Sequence, residues 1–284
     1  MLFKTVAIVG VGLIGGSLGA ALKDRRAAER VRGIGYRTET LQQAMQLGCV
    51  DDTTTDAAEG VRDADLVVLA TPVRLIPRKA REIAPSVPSG CLITDVGSTK
   101  KLITEQLDAI FGGRARYVGS HPMAGSEKHG AANAICDLFD GALCIITPTA
   151  RTDRDATRLV AQMWQAVGAR ITEMSPDEHD RRVAFASHLL HVASSCMVNV
   201  QSRGSLACAS SGFADTTRVA ASDPQLWRDI CLDNSTEIAA AIDSLQGELG
   251  AFKALIEKGD ADGLLRKFTQ AAQTRRAWNK HRPA

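Results

Sequence analysis

The hydrophobic pattern changes character once along the chain. Up to about residue 173, short apolar runs rich in β-branched residues (TVAIVG, RVRGIGY, DLVVLATP, CLITDVGS, RYVGSHP and ALCIITP) alternate with longer stretches of helical period. Strands of this kind, each followed by an amphipathic segment, belong in a mainly parallel sheet covered on both faces. After Ile171 the strand-like runs stop, and helical periodicity takes over from Asp177 to about Gln201, from Pro224 to Leu245 and from Asp260 to about Trp278. The pattern therefore predicts an α/β Rossmann-type domain over 1–174 followed by an all-α domain over 175–284. The junction reads MSPDEHD. There Ser175 is placed to cap a helix that opens on Pro176 and carries acids in its first turn. No Pro/Ser-rich linker intervenes, so the two domains are expected to pack directly on each other.

Composition narrows the function classes. With 284 residues and 45% hydrophobic side chains, the chain is not a disordered one. Its 34 basic and 32 acidic residues give a formal +2, too little single-sign charge to drive binding to nucleic acid or an anionic membrane. No run approaches the roughly 20 apolar residues of a bilayer crossing, and MLFKTVAIVGVG reads as a strand leading into glycines rather than a secretion signal. The seven cysteines are odd in number, scattered and without C-x-x-C spacing, which predicts reduced thiols in a cytoplasmic protein and no cysteine-zinc site.

Gly10-Val11-Gly12-Leu13-Ile14-Gly15 follows an apolar strand and opens a helix. This is the G-x-G-x-x-G context for binding a dinucleotide. The first glycine makes the tight turn, the second lets a pyrophosphate approach the backbone, and the third lets helix and strand close up. Roughly 20 residues further on, where an acid would bind the ribose 2′-hydroxyl of NAD, stands Arg37, followed by Thr38. A guanidinium grips a 2′-phosphate that a carboxylate would repel, so NADP is the expected cofactor, with NAD as the alternative. Asp51 and Asp52 lie too far along to replace the missing acid.

Two settings among the six histidines stand out. His121 follows the RYVGS strand, at the sheet edge where open α/β folds place ligands, and an imidazole titrating near working pH suits a base for a hydroxyl proton. Ser98 and Thr99 end another strand, where they suit helix capping and, for Ser98, contact with nicotinamide and base. His188 and His191 share a helix face but have no nearby carboxylates, so they are expected to donate hydrogen bonds in the cleft rather than bind a metal. In GFADTTRVAASDPQLWRDI, a Gly-led loop is expected to carry Asp215 and Arg218, with Arg218 either ion-paired or clamping a carboxylate. Trp227 by itself reads as core.

These segments converge. GVGLIGGS, ATPV at 70–73, DVGSTK at 95–100, HPMAGSEKHG at 121–130, DRRVAFASHLLH at 180–191 and DTTRVAASDPQLWRDI at 215–230 together resemble the prephenate/arogenate (cyclohexadienyl) dehydrogenases of tyrosine biosynthesis. The resemblance implies oxidative decarboxylation of arogenate or prephenate: hydride leaves ring C4, CO2 departs and the ring becomes a phenol. It implies that His121 assists loss of the C4 hydroxyl proton, that Ser98 orients hydroxyl and nicotinamide, and that His191, Arg218 and Trp227 contact substrate, with Arg218 on a carboxylate. Glu127 and Asp215 match acids at the cleft mouth. Gly10, Gly12, Leu13, Ile14, Gly15, Thr71 and Pro72 match the cofactor loops, and the helical domain matches one that forms a homodimer through a helix such as 183–200.

Two departures stand out. Arg37 replaces an Asp common in NAD-using members, which favours NADP and, by association, arogenate. Leu190 replaces the proline of SHLPH, which alters the expected helix kink and the placing of His191. The competing readings are a two-domain NADP enzyme of the 3-hydroxyacid type, whose usual lysine is missing from helix 177–201, and a non-catalytic NADP sensor.

Overall fold

A computed structural model of the chain describes residues 1–112, 115–125 and 130–281. The first half runs β1 (Phe3–Val9), α1 (Leu13–Asp24), β2 (Ala28–Ile34), α2 (Thr38–Gln46), β3 (Asp52–Thr54), α3 (Ala57–Gly60), β4 (Leu66–Leu69), α4 (Ile76–Ile83), β5 (Leu92–Asp95), α5 (Lys101–Phe111), β6 (Arg116–Pro122), β7 (Leu143–Thr147), α6 (Arg154–Ala166) and β8 (Arg170–Glu173). The strands form one sheet in the order β3-β2-β1-β4-β5-β6-β7-β8. All neighbours are parallel except β6 and β7, so the last two strands run against the rest. That antiparallel pairing, His121 opposite Ile145 and Pro122 opposite Cys144, extends β6 through Pro122. His121 therefore sits on the strand itself rather than in the loop after it.

Alternation along the strands feeds two cores. Val6, Ile8, Leu66 and Val68 face α1 and α6, while Ala7, Val9, Val67 and Leu69 face α4 and α5. The second core does not stop at the sheet domain: Ala184, Ile230, Ile238 and Ala241 of the helical half belong to it. The two halves thus share buried surface, as the absence of a linker predicts.

The helical half comprises α7 (Pro176–Val183), α8 (Leu189–Asn199), α9 (Arg203–Leu206), α10 (Ser211–Thr217), α11 (Pro224–Asp233), α12 (Ser235–Lys258) and α13 (Ala261–His281). Ser175 caps α7, accepting the Glu178 N–H at 3.2 Å, with Pro176 in the first turn. A π-helical turn over Ala184–His188 joins α7 to α8, so the expected long helix carries a bulge without needing a proline. The expected loop around Asp215 is instead α10, pinned to α8 by Ser194 Oγ donating to the Thr216 carbonyl at 3.1 Å. Met197, Val200, Leu206, Leu249, Phe268 and Trp278 are exposed on this half. No helix among the described residues is long and apolar enough to cross a membrane.

Candidate active site

The carboxyl ends of β1, β4, β5 and β6 lie along one edge of the sheet, bringing Gly10, Thr71, Ser98 and His121 to the same side. Gly10 has a φ of +102°, and a Cβ there would sit 2.7 Å from the Ala70 carbonyl oxygen. A Cβ on Gly15 would come within 2.1 Å of the Gly10 oxygen, so α1 closes on the turn only because that side chain is missing. Above Gly12, by contrast, the space is open. These are the roles the glycine spacing predicts, and they leave the N-terminus of α1 accessible to an anion.

From this turn a cavity of about 660 Å³ extends across Gly12, Tyr36, Arg37, Thr40, Thr71, Pro72 and Arg78. Thr71 Oγ1, which has no partner among the described residues, is a buried polar atom within it. The cavity fits a dinucleotide, with Arg37 at the end of β2 where the ribose hydroxyls would lie. The Arg37 guanidinium is held over the Tyr36 ring, 4.9 Å from its centroid. Thr38 does not line the cavity, whereas Thr40, two residues further along α2, does. Leu13 and Ile14 begin α1 beside the turn without lining the cavity.

His121 is buried, and its Nδ1 lies 2.8 Å from Nε2 of His179. His179 Nδ1 in turn lies 2.7 Å from Oδ1 of Asp180. The Asp180 carboxylate also accepts the backbone N–H groups of Lys100 at 2.8 Å and Lys101 at 3.0 Å. Ser98 and Thr99 are therefore not the caps of α5: its N-terminus is satisfied from α7, across the domain junction. The Lys100 side chain is fully buried, paired with Asp95 and donating to the Ser120 carbonyl at 2.8 Å. Tyr117 donates to the other Asp95 oxygen at 2.9 Å. An isolated ammonium could not survive such burial, and this pair with its added hydrogen bonds gives it the partners it needs.

The imidazoles are neutral at physiological pH. Burial, with His179, Lys100 and His188 adding repulsion, holds His121 well below the usual histidine range. Burial takes His179 to about 2 and His188 and His191 to about 4. His121 thus does not titrate near working pH as its residue type alone suggests, because its surroundings are dry and cationic.

His191 stacks on Trp227, ring centroids 3.5 Å apart and planes 21° from parallel, so Trp227 packs on His191 as well as against the core. His188 meets the same indole edge-on at 5.9 Å and faces the Asn234 amide at 3.2 Å. The two histidines point to different partners. Arg218 follows α10 close enough to His191 to depress its pKa further. Asp215 is exposed on α10. Glu127 lies outside the described residues.

Sequence reasoning missed His179 and Asp180. DEHD carries every mark of a helix start, and nothing local signals that its third residue reaches a strand 58 positions away and its fourth the start of α5, 80 positions away.

Comparison with known proteins adds an independent line. Residues 18–173 match the family model for the nucleotide-binding domain of prephenate dehydrogenase, and 175–270 match the model for its dimerization domain. The prephenate dehydrogenase of Bacillus subtilis is 36% identical over 278 residues, covering 95% of this chain and 75% of the relative. The cyclohexadienyl dehydrogenase of Zymomonas mobilis is 34% identical over 282 residues, covering 97% and 96%. A crystal structure of prephenate dehydrogenase from Aquifex aeolicus, in complex with hydroxyphenyl propionate and NAD+, superposes with a TM-score of 0.90 at 32% identity, covering 96% of this chain and 98% of that one. These matches do not favour the 3-hydroxyacid or sensor readings.

Proposed function

Because the chain belongs to the prephenate dehydrogenase family, an oxidoreductase family with a nicotinamide dinucleotide cofactor, we propose that it oxidatively decarboxylates arogenate, prephenate or both with NADP, in tyrosine biosynthesis. The observation that carries this reading is His121, a neutral buried imidazole on the sheet edge that also presents the glycine turn.

When bound, the oxidised nicotinamide supplies the hydride acceptor. His121 accepts the C4 hydroxyl proton as hydride leaves the same carbon. A weakly basic imidazole suffices, because the hydroxyl becomes far more acidic as C4 acquires carbonyl character. The ring carboxylate then leaves as CO2, its bonding pair completes the aromatic ring, and the proton returns from His121 to the new phenolate oxygen. Ser98 orients the hydroxyl toward His121. Arg218 holds a substrate carboxylate, His191 contacts the substrate, Trp227 lies against the ring, and Asp215 belongs to the polar mouth of the cleft. Gly10, Gly12, Leu13, Ile14, Gly15, Thr71 and Pro72 shape the cofactor loops.

NADP over NAD rests on Arg37, whose guanidinium lines the cavity where an acid would otherwise read the 2′-hydroxyl. The Aquifex relative holds NAD+, so the two cofactors are the competing outcomes. We divide the chain into a cofactor domain, 1–174, and a substrate and dimerisation domain, 175–284. The exposed Met197, Val200, Leu249 and Phe268 support a second copy covering the helical half, in a cytoplasmic homodimer. The His121→Ala variant tests the mechanism: NADP affinity stays within about twofold of wild type while kcat falls on the order of 10²-fold or more. Near-normal kcat would remove His121 from the chemistry.

A further inference from the structure

We propose that His179 and Asp180 are positioning residues that hold His121 in the tautomer with its proton on Nδ1, so that its Nε2 presents a lone pair, and that the docking of α7 on α5 is what sets this tautomer.

The protons can be traced from the charged end. Burial raises the pKa of Asp180, but the N–H groups of Lys101 and Lys100 and the Lys100 charge work against that and favour the carboxylate. A carboxylate only accepts. His179 is fully buried and neutral, so it carries one N–H, and the partner of its Nδ1 is Asp180 Oδ1. That proton is therefore on Nδ1, and His179 Nε2 is a bare acceptor. The group 2.8 Å from it is His121 Nδ1, which must then be the donor. A neutral imidazole has one proton to give, so His121 Nε2 is left unprotonated. The atom that accepts the substrate proton is in this way decided two side chains back, at Asp180.

The same carboxylate is a rivet between domains. It belongs to α7 and takes the first N–H groups of α5, while the Asn234 amide donates at 2.8 Å to the Asp180 carbonyl. The groups facing the relay are Lys100 from the start of α5, His188 from the π turn, and Asn234 at the head of α12. Lys100 and its partner Asp95 keep a fixed positive group beside both imidazoles, which disfavours imidazolium and preserves the neutral chain. Displacing α7 from α5 would carry His179 and Asp180 together away from β6, leaving His121 Nδ1 without its acceptor and its ring free to exchange tautomers. A fixed tautomer is what an orienting acid supplies to a histidine base elsewhere.

The first measurement is 15N NMR of the histidine rings in the wild-type protein at pH 7, without substrate. The expected spectrum shows His121 and His179 each protonated at Nδ1 and bare at Nε2. A His121 protonated at Nε2 overturns the proposal. The second is a mutant cycle with His179→Gln, His121→Ala and the double variant. His179→Gln is expected to lower kcat on the order of 10- to 100-fold with cofactor affinity and melting temperature little changed. The double variant should be no slower than His121→Ala alone, because His179 acts only through His121. Losses that multiply in the double variant overturn the proposal. Naming Nε2 as the proton-accepting atom rests on the function proposed above, whereas the nitrogen spectrum does not. An inactive wild-type protein with the expected spectrum would sink that function and leave the relay standing.

Discussion

Four neutral, buried or half-buried histidines should make the fold acid-labile well above the carboxylate range. The perturbation is a fall in pH from 7 to 4.5. In the unfolded chain each histidine protonates near 6.5, whereas the folded protein holds His188 near 4 and His179 near 2. Each folded pKa is depressed, so the stabilisation is present above about pH 6.5 and is lost as pH falls toward the folded value. Around pH 5 the unfolded state binds almost one more proton than the folded state at each site. Each site therefore contributes a slope of about 1.3 kcal/mol per pH unit, and by pH 4 each has cost about 3 kcal/mol. Against a total of roughly 5–15 kcal/mol that is a large fraction. Asp180, Asp108 and Asp233, raised by burial, push the other way as pH falls through their folded values toward the ordinary carboxylate range. The assay is reversible urea unfolding at pH 7, 6, 5 and 4.5 at fixed protein concentration, comparing wild type with His188→Gln. The variant should be less stable at pH 7, having lost the partner of Asn234 and the edge contact with Trp227. Its slope near pH 5 should be shallower by about 1 kcal/mol per pH unit. A wild-type stability flat from pH 7 to 4.5, or equal slopes for the two proteins, would refute the reasoning.

Three further outcomes follow from the site. Arg37→Asp should weaken NADP by a kcal/mol or more while leaving NAD the same or tighter, read by isothermal titration; an equal loss for both would show that Arg37 does not read the 2′-phosphate. Arg218→Ala should raise KM at least tenfold with a smaller change in kcat, and an unchanged KM would return Arg218 to a structural ion pair. Gly15→Ala should abolish cofactor binding or folding, since its Cβ would lie 2.1 Å from the Gly10 oxygen; normal affinity in a folded variant would mean that α1 can shift away from the turn.

What the sequence made legible is what local physics fixes. The glycines of the first turn, the Ser175 and Pro176 helix start and the two-sided strands are each dictated by neighbours within a few residues, and each stands where the pattern placed it. The site reads less well wherever a distant element supplies the partner. Ser98 and Thr99 fit a cap by residue type, yet the α5 N-terminus is held by a carboxylate 80 positions on. His121 looked like a histidine of ordinary pKa because its sequence neighbours are small and polar, while burial and Lys100 come from the fold. A Gly-led, polar stretch around Asp215 suggested a loop, and packing on α8 made it a helix. The His191–Trp227 stack joins positions 36 apart, and only their common resemblance to one family had put them in the same site.

The most direct test of the central claim is a two-by-two steady-state assay, prephenate or arogenate with NAD or NADP, following reduced nicotinamide by absorbance and the phenolic product by chromatography. The account predicts turnover to the phenol and CO2, fastest with arogenate and NADP. No turnover in any of the four combinations, from protein shown to be folded and dimeric, would contradict it.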